Sequence, residues 1–519
     1  MNAKHFEVVV VGSGFGGSLT AMITHRLGLS TALIERGRHP RFVIGESSTP
    51  ITNLLLEEIA AEYDLPSIRP LCKWGPWQKQ LPQLACGLKR GFTFYHHEFG
   101  RTFGPDPERR QQLLVGASPR DEVADTHWYR PDFDAYLVQQ AQALGVECWD
   151  ETILDRATAE PDGMRLVGTR QGQSVEIIAD FVIDASGPRG FLFRTLGLPE
   201  KTFDTMPPTQ ALFSHFCGVG PLPDYFSVNG RTPPYPPEQA AVHHVFPGGW
   251  IWVLKFNNGI TSAGVAATDT VAHDLDFKSG EPAWGRLLER LPSVAEMFRS
   301  SQALIPFVHS PRVGFRSGTA AGPHWALLPS AAGFVDPLLS TGFALTLLGV
   351  KRVAGLLRSH WQKPSFPIQL QDYSELTLLE LDTAAELVGA LYATMDRFDL
   401  FRELSLLYFA AASFSEAARR LKKFQLANSF LLCRHPVFAD PFRRLCESAR
   451  NPAAIGETDN LRQQIRAAIE PFDVAGLTDC SRHPWYPAMA KDLLRSAPKL
   501  GANEPEIMTM LRKNGLTLD

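Results

Sequence analysis

Long apolar runs are absent from this chain, and so are long runs of basic residues. No segment approaches the ~20 apolar residues of a membrane-spanning helix, so no membrane span is expected. The formal net charge is −4 and the basic residues are scattered, which argues against nucleic acid as a partner. The first residues are typical of a strand rather than of a signal peptide, so a cytoplasmic location is expected.

Cysteine is scarce, with seven residues in 519 and no Cys-x-x-Cys pair. This usage argues against both a disulfide framework and a zinc site, and no metal is expected. The histidine pairs His96–His97 and His243–His244 lack metal-ligand spacing to any carboxylate motif, so we predict structural or surface roles for them. The chain also lacks internal repeats and low-complexity tracts.

The stretch FEVVVVGSGFGG, residues 6–17, combines a strand, a turn and the start of a helix. The valines from Val8 to Val11 are typical of a buried parallel strand. Gly12, Gly14 and Gly17 follow with the spacing of a dinucleotide-binding turn, in which a helix N-terminus faces the pyrophosphate. A second strand, STALIE, ends on Glu35, which is placed to bind a ribose hydroxyl. An ordinary glycine-rich turn is the alternative.

A later apolar strand, VEIIADFVIDASG, ends in Asp184 and Gly187. We expect it to lie beside the first strand, at the carboxyl edge where ligands bind in such sheets. Between the two motifs, residues 36–50 are predicted to form a loop and residues 51–65 a helix. Residues 66–84 are predicted to be irregular, and residues 101–126 a flexible surface loop.

Residues 86–99, CGLKRGFTFYHHEF, alternate as in a single strand. Lys89 then shares a face with Gly87 and Gly91, which lack side chains. A solvated lysine on an edge strand is the ordinary interpretation. The flanking glycines favour a second one, in which space is left beside the ammonium for a cofactor or a channel.

From about residue 205 the pattern changes to short strands, which predicts a mostly antiparallel sheet over a substrate cavity. In its clearest strand, GGWIWVLKFNNG, Trp250 and Trp252 share one face. Further on, a turn precedes a long apolar helix that Ser340 or Thr341 is expected to cap, and the helix N-terminus suits negative charge. Beyond about residue 365 the pattern is helical, and its aromatic residues are expected to be core.

Four stretches resemble the flavin-dependent halogenases, within the flavoprotein monooxygenases. They are GSGFGG, HPRFVIGESSTP, GLKRGFTF, and a turn that has Phe334, Pro337, Ser340 and Gly342 at the fixed positions of Phe-x-x-Pro-x-x-Ser-x-Gly. The resemblance covers roughly residues 5–360.

The resemblance implies a set of site residues. Lys89 would be catalytic, guiding hypohalous acid to the substrate; Thr341 and Gly342 would bind the halide; Trp250 and Trp252 would bar the substrate from the flavin. FAD, as FADH2, would be held by the following residues: Gly12, Gly14, Gly17, Glu35, Arg41, Gly45, Glu46, Ser47, Asp184, Gly187, Gly333, Phe334, Asp336, Pro337 and Ser340. Chloride or bromide would be the co-substrate, and a separate NAD(P)H-dependent flavin reductase would be the partner.

Three positions depart from the family's pattern. Lys255 replaces the proline of Trp-x-Trp-x-Ile-Pro, and Ser330 replaces the aspartate of a Gly-Asp pair. Leu339 stands where tryptophan halogenases have a substrate-polarising glutamate, which argues against free tryptophan. We therefore predict halogenation of a phenol or pyrrole, free or bound to a carrier protein. The alternatives are a monooxygenase that hydroxylates an aromatic ring or a protein side chain, which Lys255 favours, and a flavin-binding partner protein without turnover.

The predicted fold class is α/β, with three parts. Residues 1–204 and 316–364 would form a discontinuous Rossmann-like FAD-binding domain. Residues 205–315 would form the antiparallel-sheet substrate lobe, and residues 365–519 a helical C-terminal region. The length of the chain supports several lobes, because one simple core does not extend over 519 residues.

Overall fold

The computed structural model describes residues 3–104, 106–222, 232–451, 458–482 and 484–515. Its strands in these ranges are β1 Lys4–Val11, β2 Thr31–Ile34, β3 Cys86–Lys89, β4 Gly91–His96, β5 Gln112–Gly116, β6 Asp125–Trp128, β7 Glu147–Trp149, β8 Thr152–Glu160, β9 Gly163–Arg170, β10 Gln173–Asp184, β11 Glu200–Lys201, β12 Thr209–Cys217, β13 Ala241–Phe246, β14 Gly249–Lys255, β15 Thr261–Thr268, β16 Gln302–Ala303, β17 Val308–Ser310, β18 Phe315–Ser317, β19 Ala321–Gly322, β20 Trp325–Leu327, β21 Gly333–Phe334 and β22 Trp485–Tyr486.

The helices in the same ranges are α1 Phe15–Arg26, α2 Pro50–Glu62, α3 Trp74–Gln80, α4 Arg130–Ala143, α5 Phe191–Thr195, α6 Asp269–Asp274, α7 Glu281–Arg290, α8 Pro292–Phe298, α9 Pro329–Ala332, α10 Thr341–His360, α11 Phe366–Tyr392, α12 Phe398–Arg420, α13 Ala439–Arg450, α14 Thr458–Ile469, α15 Ala490–Arg495 and α16 Glu504–Lys513. The described helices include none that is long and apolar enough to cross a membrane.

The first sheet has the order β19-β20-β10-β1-β2-β7, and β9 and β8 extend it from β10. β1 is parallel to both β2 and β10, so both of its edges are paired. Val8, Val9 and Val10 are fully buried, which is why the strand lacks alternation. The pairing places Asp184 opposite Val11 at the carboxyl end. The predicted neighbourhood of the two motifs is confirmed.

The second sheet has the order β16-β12-β15-β14-β13-β4-β5-β22, with β17 also on β12. Strands β12 to β15 pair in antiparallel fashion, whereas β4 joins β13 in parallel. Residues 91–116 and 485–486 thus contribute strands to the sheet that we assigned to residues 205–315. The boundaries of the three parts stay a prediction.

The single strand predicted over residues 86–99 is wrong. The strand is interrupted at Arg90. The backbone N–H of Arg90 donates to Gln239 O, and its guanidinium binds Ser118 O and Asp121. β3 pairs with β6 in a separate two-stranded ribbon, and β4 enters the second sheet. A regular alternation of side chains does not reveal such a change of partner.

Two segments expected to be irregular are ordered elements. Residues 66–84 contain a 3₁₀ helix, Pro66–Cys72, followed by α3. Pro66 and Pro76 lie in first turns, where the missing N–H costs little. Residues 101–126 contain β5 and the start of β6, with Leu113 and Leu114 fully buried. Position 105 of that predicted loop lies outside the described residues.

The C-terminal region is largely helical, as predicted, apart from the short β22. Most of its aromatic residues are core: Tyr392, Phe398, Phe401, Tyr408, Phe409 and Phe414 are all buried, whereas Phe424 is exposed. From α12, Phe401 and Phe409 pack edge-on against Phe94 and Phe92 of β4. This helix therefore covers one face of the second sheet.

Candidate flavin and halogenation site

The three glycines of the first turn have different roles. Gly12 has φ +97°, and a Cβ there would lie 2.7 Å from Ala185 O. A Cβ on Gly17 would lie 1.8 Å from Gly12 O, so both glycines allow close backbone packing. A Cβ on Gly14 would meet only side-chain atoms, the nearest 3.6 Å away on Arg130. Gly14 thus faces the charged side chains of Arg130, Asp134 and Arg41 across a narrow gap at the N-terminus of α1, and we call this gap the Gly14 concavity.

Two guanidinium groups face this concavity. Arg41 Nη2 would lie 4.0 Å from a Cβ on Gly14, and Arg130 Nη2 lies nearer. Arg130 is buried and held by paired hydrogen bonds to Asp134, 2.9 and 2.7 Å long, and by a third bond of 2.8 Å to Gly45 O. A helix N-terminus with two oriented guanidiniums suits a pyrophosphate. Arg130 was missed from the sequence, although its i, i+4 spacing to Asp134 is the signal that could have found it.

Glu35 lies beside the same turn, at the end of β2. Its carboxylate accepts hydrogen bonds from the Ser13 backbone N–H at 3.0 Å and from Arg41 at 3.2 Å. Burial raises the pKa of Glu35, but Arg41 and the hydrogen bonds outweigh it and hold the pKa below its usual value. Glu35 is therefore an anionic acceptor at the place where a ribose would lie, and its role stays a prediction.

Asp184 and Gly187 shape the neighbouring turn after β10. The Asp184 carboxylate accepts hydrogen bonds from Ser186 N–H at 2.8 Å and from Leu192 N–H at 2.6 Å, so it organises the backbone there. Gly187 has φ +87° with open space around it. The structure thus brings the two turns together at one edge of the sheet.

The loop before α2 reaches the second sheet through Glu46. This residue is buried, and its Oε1 lies 2.8 Å from His215 Nε2 on β12. Phe42 packs edge-on against the His215 ring, with centroids 4.9 Å apart. Glu46 Oε2 is buried without a hydrogen-bond partner among the described residues. The unpaired Glu46 Oε2 and the Gly14 concavity are both suited to binding FAD. His215 was missed, because nothing in its local sequence marks it.

Lys89 is fully buried, which excludes the solvated edge-strand interpretation. Its Nζ donates a hydrogen bond of 2.8 Å to Ser47 Oγ and another to Ser48 O, and lies 3.9 Å from the centre of the Phe92 ring. An ammonium has three donors, so these two acceptors leave one. Burial lowers the pKa of Lys89 to about 7, a fall that Asp125 opposes.

The glycines near Lys89 do not leave space beside its ammonium, contrary to the second interpretation above. A Cβ on Gly87 would lie 2.2 Å from Lys255 O, and one on Gly91 would lie 2.2 Å from Val115 O. Both glycines instead allow close approach of neighbouring backbone. The Lys89 ammonium instead contacts Ser47, Ser48 and the Phe92 ring.

The two tryptophans lie on one face of β14, next to ring side chains of β12 and β13. Trp250 and Trp252 are buried with ring centroids 5.7 Å apart. Trp252 neighbours Phe213 at 6.0 Å, and Trp250 neighbours His243 at 5.1 Å. His243 in turn stacks on Phe94 at 4.5 Å. The pair thus lies between Phe213 and the His243–Phe94 stack, and its role as a barrier stays a prediction.

Lys255 ends the tryptophan strand but lies on its other face. Its Nζ forms an ion pair of 2.6 Å with Glu238 and is about one-third exposed. The histidines His96, His97, His243 and His244 are all buried, so the structural assignment holds and the surface one does not. No cluster with metal-ligand geometry occurs among the described residues.

The turn before α10 has one correction. Ser340 occupies the N-cap position with φ 53°, and its side chain makes no capping hydrogen bond; Thr341 is the first residue of the helix. The predicted N-cap position of Ser340 is therefore confirmed, but the capping hydrogen bond expected from its side chain is not formed. A non-glycine residue in the left-handed region is strained and is often found at functional sites. Gly342 lies against Phe334, which is 3.7 Å from the position of its Cβ.

Asp336, in the same turn, faces the C-terminal region. It is buried, its Oδ2 accepts a hydrogen bond of 3.0 Å from the Tyr392 hydroxyl, and its Oδ1 accepts from Leu338 N–H. Burial raises the pKa of Asp336 to about 7. Gly333 packs against Leu381 and Phe315. Cofactor roles for Gly333, Phe334, Asp336, Pro337 and Ser340 stay predictions.

Residues 126–407, more than half of the chain, match the family model described as tryptophan halogenase. The chain belongs to this family. Monodechloroaminopyrrolnitrin halogenase PrnC of Pseudomonas fluorescens is 30% identical over 407 residues, covering 77% of this chain and 70% of that protein. Tetracycline 7-halogenase of Kitasatospora aureofaciens is 26% identical over 540 residues, covering 98% and 95%.

The fold of this halogenase-family chain is shared with a solved structure. The crystal structure of the halogenase PltM in complex with phloroglucinol and FAD superposes with a TM-score of 0.80, at 23% identity, over 92% of this chain and 99% of that one. The predicted family, the α/β class and an FAD-dependent oxidoreductase that uses a halide are confirmed.

Proposed function

We propose that this enzyme halogenates an electron-rich aromatic ring, a phenol or a pyrrole, with hypohalous acid positioned by Lys89. The observation that carries the proposal is a fully buried lysine, Lys89, whose ammonium is fixed by hydrogen bonds to Ser47 and Ser48 and lies over the Phe92 ring. Burying a cation is costly, so such a site is expected where its chemistry is used.

FAD would be held by the Gly14 concavity, Arg41, Arg130, Glu35 and the loop around Glu46. When bound and reduced, it supplies hypohalous acid by the overall reaction FADH2 + O2 + X⁻ + H⁺ → FAD + HOX + H2O. The N-terminus of α10, with Thr341 and Gly342, is the proposed halide site, since free N–H groups there attract an anion. A separate flavin reductase would provide FADH2.

Lys89 would hold the hypohalous acid beside the ring in one of two ways. The ammonium can donate a hydrogen bond to its oxygen, or the neutral amine can form a haloamine and release water. Because hypohalous acid is indiscriminate, a fixed donor is needed to direct halogen to one carbon, which then loses its proton. Trp250 and Trp252 would keep the ring from the flavin side.

Three observations support the proposed substrate class. Leu339 provides no carboxylate at the position of the tryptophan-polarising glutamate, and a phenol or pyrrole activates its own ring by electron donation. Phe92 and Phe94 of β4 pack with Phe409 and Phe401 of α12 beside Lys89, and these aromatic faces and edges would suit contact with a flat apolar ring. The names of two matched proteins, with tetracycline and phloroglucinol, also point to phenolic rings.

Hydroxylation is the second candidate, and Lys255 was the feature that favoured it. Since Lys255 is paired with Glu238 on the far face of β14, its presence leaves the tryptophan pair in place, which supports halogenation instead. The test is a screen of phenols and pyrroles, free and carrier-bound, with reductase, FAD, NADH and bromide. We expect a product heavier by replacement of hydrogen with bromine. A product heavier by one oxygen in the presence of bromide would favour hydroxylation.

The enzyme is expected to oxidise NADH or NADPH negligibly by itself. The sequence has one dinucleotide fingerprint, which FAD would occupy, and no second one after a strand. The measurement is the loss of absorbance at 340 nm with the pure protein and FAD, and added flavin reductase is the positive control. Rapid FAD-dependent NADPH consumption by the protein alone would contradict the need for a reductase.

A further inference from the structure

Asp125 lies directly opposite Lys89 in the two-stranded ribbon of β3 and β6. Directly opposed residues in an antiparallel pair project to the same face, with Cβ atoms about 5 Å apart. Asp125 is fully buried, as Lys89 is. The ribbon therefore places one carboxyl group and one amine opposite each other, both shielded from bulk solvent.

The Asp125 carboxyl group is held by groups other than Lys89. Its Oδ1 accepts a hydrogen bond of 2.8 Å from Asn53 Nδ2 on α2 and lies 3.9 Å from Lys73 Nζ. Its Oδ2 has no hydrogen-bond partner among the described residues. Lys89 donates to Ser47 and Ser48 instead. Asp125 thus acts on Lys89 through its field and leaves the remaining Lys89 donor free.

Apart from Lys73, the other titratable groups around this pair provide little net charge. Burial, reinforced by the charge of Lys89, lowers the pKa values of His127 on β6 and His243 on β13 to about 3, so both rings are neutral near pH 7. From α12, Glu416 and Arg420 pair with each other at 2.8 Å. Tyr408 on the same helix has its pKa raised by burial and is neutral. Lys73 is a second cation, 3.9 Å from Asp125. Burial raises the pKa of Asp125, and the charge of Lys73 and the Asn53 hydrogen bond oppose that rise.

We propose that Asp125 is a positioning residue that keeps Lys89 in the charge state required for halogenation, without touching the oxidant or the ring. Asn53 would fix the carboxylate for this purpose. The inference rests on the role proposed above for Lys89. It adds a residue from β6 that neither the turn motifs nor the lysine stretch indicates.

The consequence concerns pH. Burial lowers the pKa of Lys89 and Asp125 opposes this effect, so removal of the carboxylate charge must lower that pKa further. If the ammonium is the active form, product formation falls as pH rises through this pKa. If the neutral amine is active, product formation falls as pH decreases through it. In both cases Asp125→Asn moves the limb of the pH profile to lower pH.

The test variant is Asp125→Asn, which keeps the shape and the Asn53 contact. The Lys89 titration is followed by NMR of 13C-labelled lysine in the full-length protein, with Lys89→Arg to assign the signal. We expect a downward shift of about one pH unit, the size of effect that a close opposite charge produces. The part of the pH profile of halogenation that reports the Lys89 titration is expected to move by the same amount, while FAD binding stays unchanged.

Two further variants make the test decisive. Asp121→Asn is the control, because its carboxylate is half-exposed and pairs with Arg90 at 2.7 Å, and no shift is expected. Asn53→Ser removes the bond that fixes the Asp125 carboxylate, so a smaller shift in the same direction is expected even if Asp125→Asn fails to fold. An unmoved Lys89 titration in both variants would overturn the inference. Full halogenation by Lys89→Ala would instead overturn the proposed function. The two failures can be told apart because the NMR titration of Lys89 does not depend on turnover.

Discussion

Lys89→Ala is expected to abolish halogenated product while FAD binding and the reaction of reduced flavin with oxygen persist. The loss should be at least about a hundredfold, as for removal of a positioned donor from a buried site. Hypohalous acid or peroxide should then escape, since the ammonium is needed to hold the oxidant and not to generate it. The measurements are product by mass spectrometry and released oxidant by a trapping dye.

The burial of Lys89 shapes the choice of variants. Replacement by alanine removes three methylene groups and the ammonium from a packed site and leaves Ser47 Oγ and Ser48 O without their donor, so some stability is lost as well. Lys89→Met fills the same volume without the ammonium and is the cleaner variant. Lys89→Arg is also expected to fail, because a planar, bulkier guanidinium neither forms a haloamine readily nor presents a compact donor.

Lys79→Ala is the matched control for this series, because Lys79 is exposed at the end of α3. This variant is expected to halogenate at the wild-type rate. Undiminished halogenation by folded Lys89→Met would rule out the role that we give to Lys89. Loss of FAD binding in the same variant would place Lys89 in the cofactor site instead.

The sequence was sufficient for the nucleotide-binding half of the fold because its signals are local. Continuous valines in β1, the glycine spacing and the ending of β10 each depend on neighbouring residues, and the structure pairs β1 with β10 in parallel as predicted. The break at Arg90 was not predictable, because it depends on Gln239 and Ser118, which lie far away in sequence. Alternation continues across the break and hides it.

Prediction of the site residues has the same limit, because only residues with a local sequence motif could be found. Lys89 and the glycines were found by their motifs, whereas His215 and Asp125 act through partners in other elements. A single histidine or aspartate on a strand has no periodic or spacing signal. Only the folded arrangement shows that His215 meets Glu46 and that Asp125 opposes Lys89. The resemblance to the halogenases supplied the role of Lys89, and the structure supplied its surroundings.

Gly14→Val is expected to abolish FAD binding while the protein stays folded. Gly14 has φ −66° and is the N-cap of α1, so its backbone conformation is open to any residue. A Cβ there would have no contact closer than 3.6 Å, but the valine methyl groups would project into the concavity that Arg41 and Arg130 border. They would hold a pyrophosphate away from the helix N-terminus and from both guanidiniums. The measurement is the FAD content of the purified variant and its affinity by fluorescence titration.

The neighbouring glycines show why position 14 is the informative one. Gly17→Val would place a Cβ within 1.8 Å of Gly12 O, so misfolding and loss of FAD would be confounded. Gly355→Val, in α10 with open space around its Cβ, is the control for a valine introduced into a helix, and wild-type FAD affinity is expected. Gly14→Ala should weaken binding less than Gly14→Val, because a single methyl group fills less of the concavity. A folded Gly14→Val protein that binds FAD with wild-type affinity would place the pyrophosphate elsewhere and overturn the assignment of the first turn.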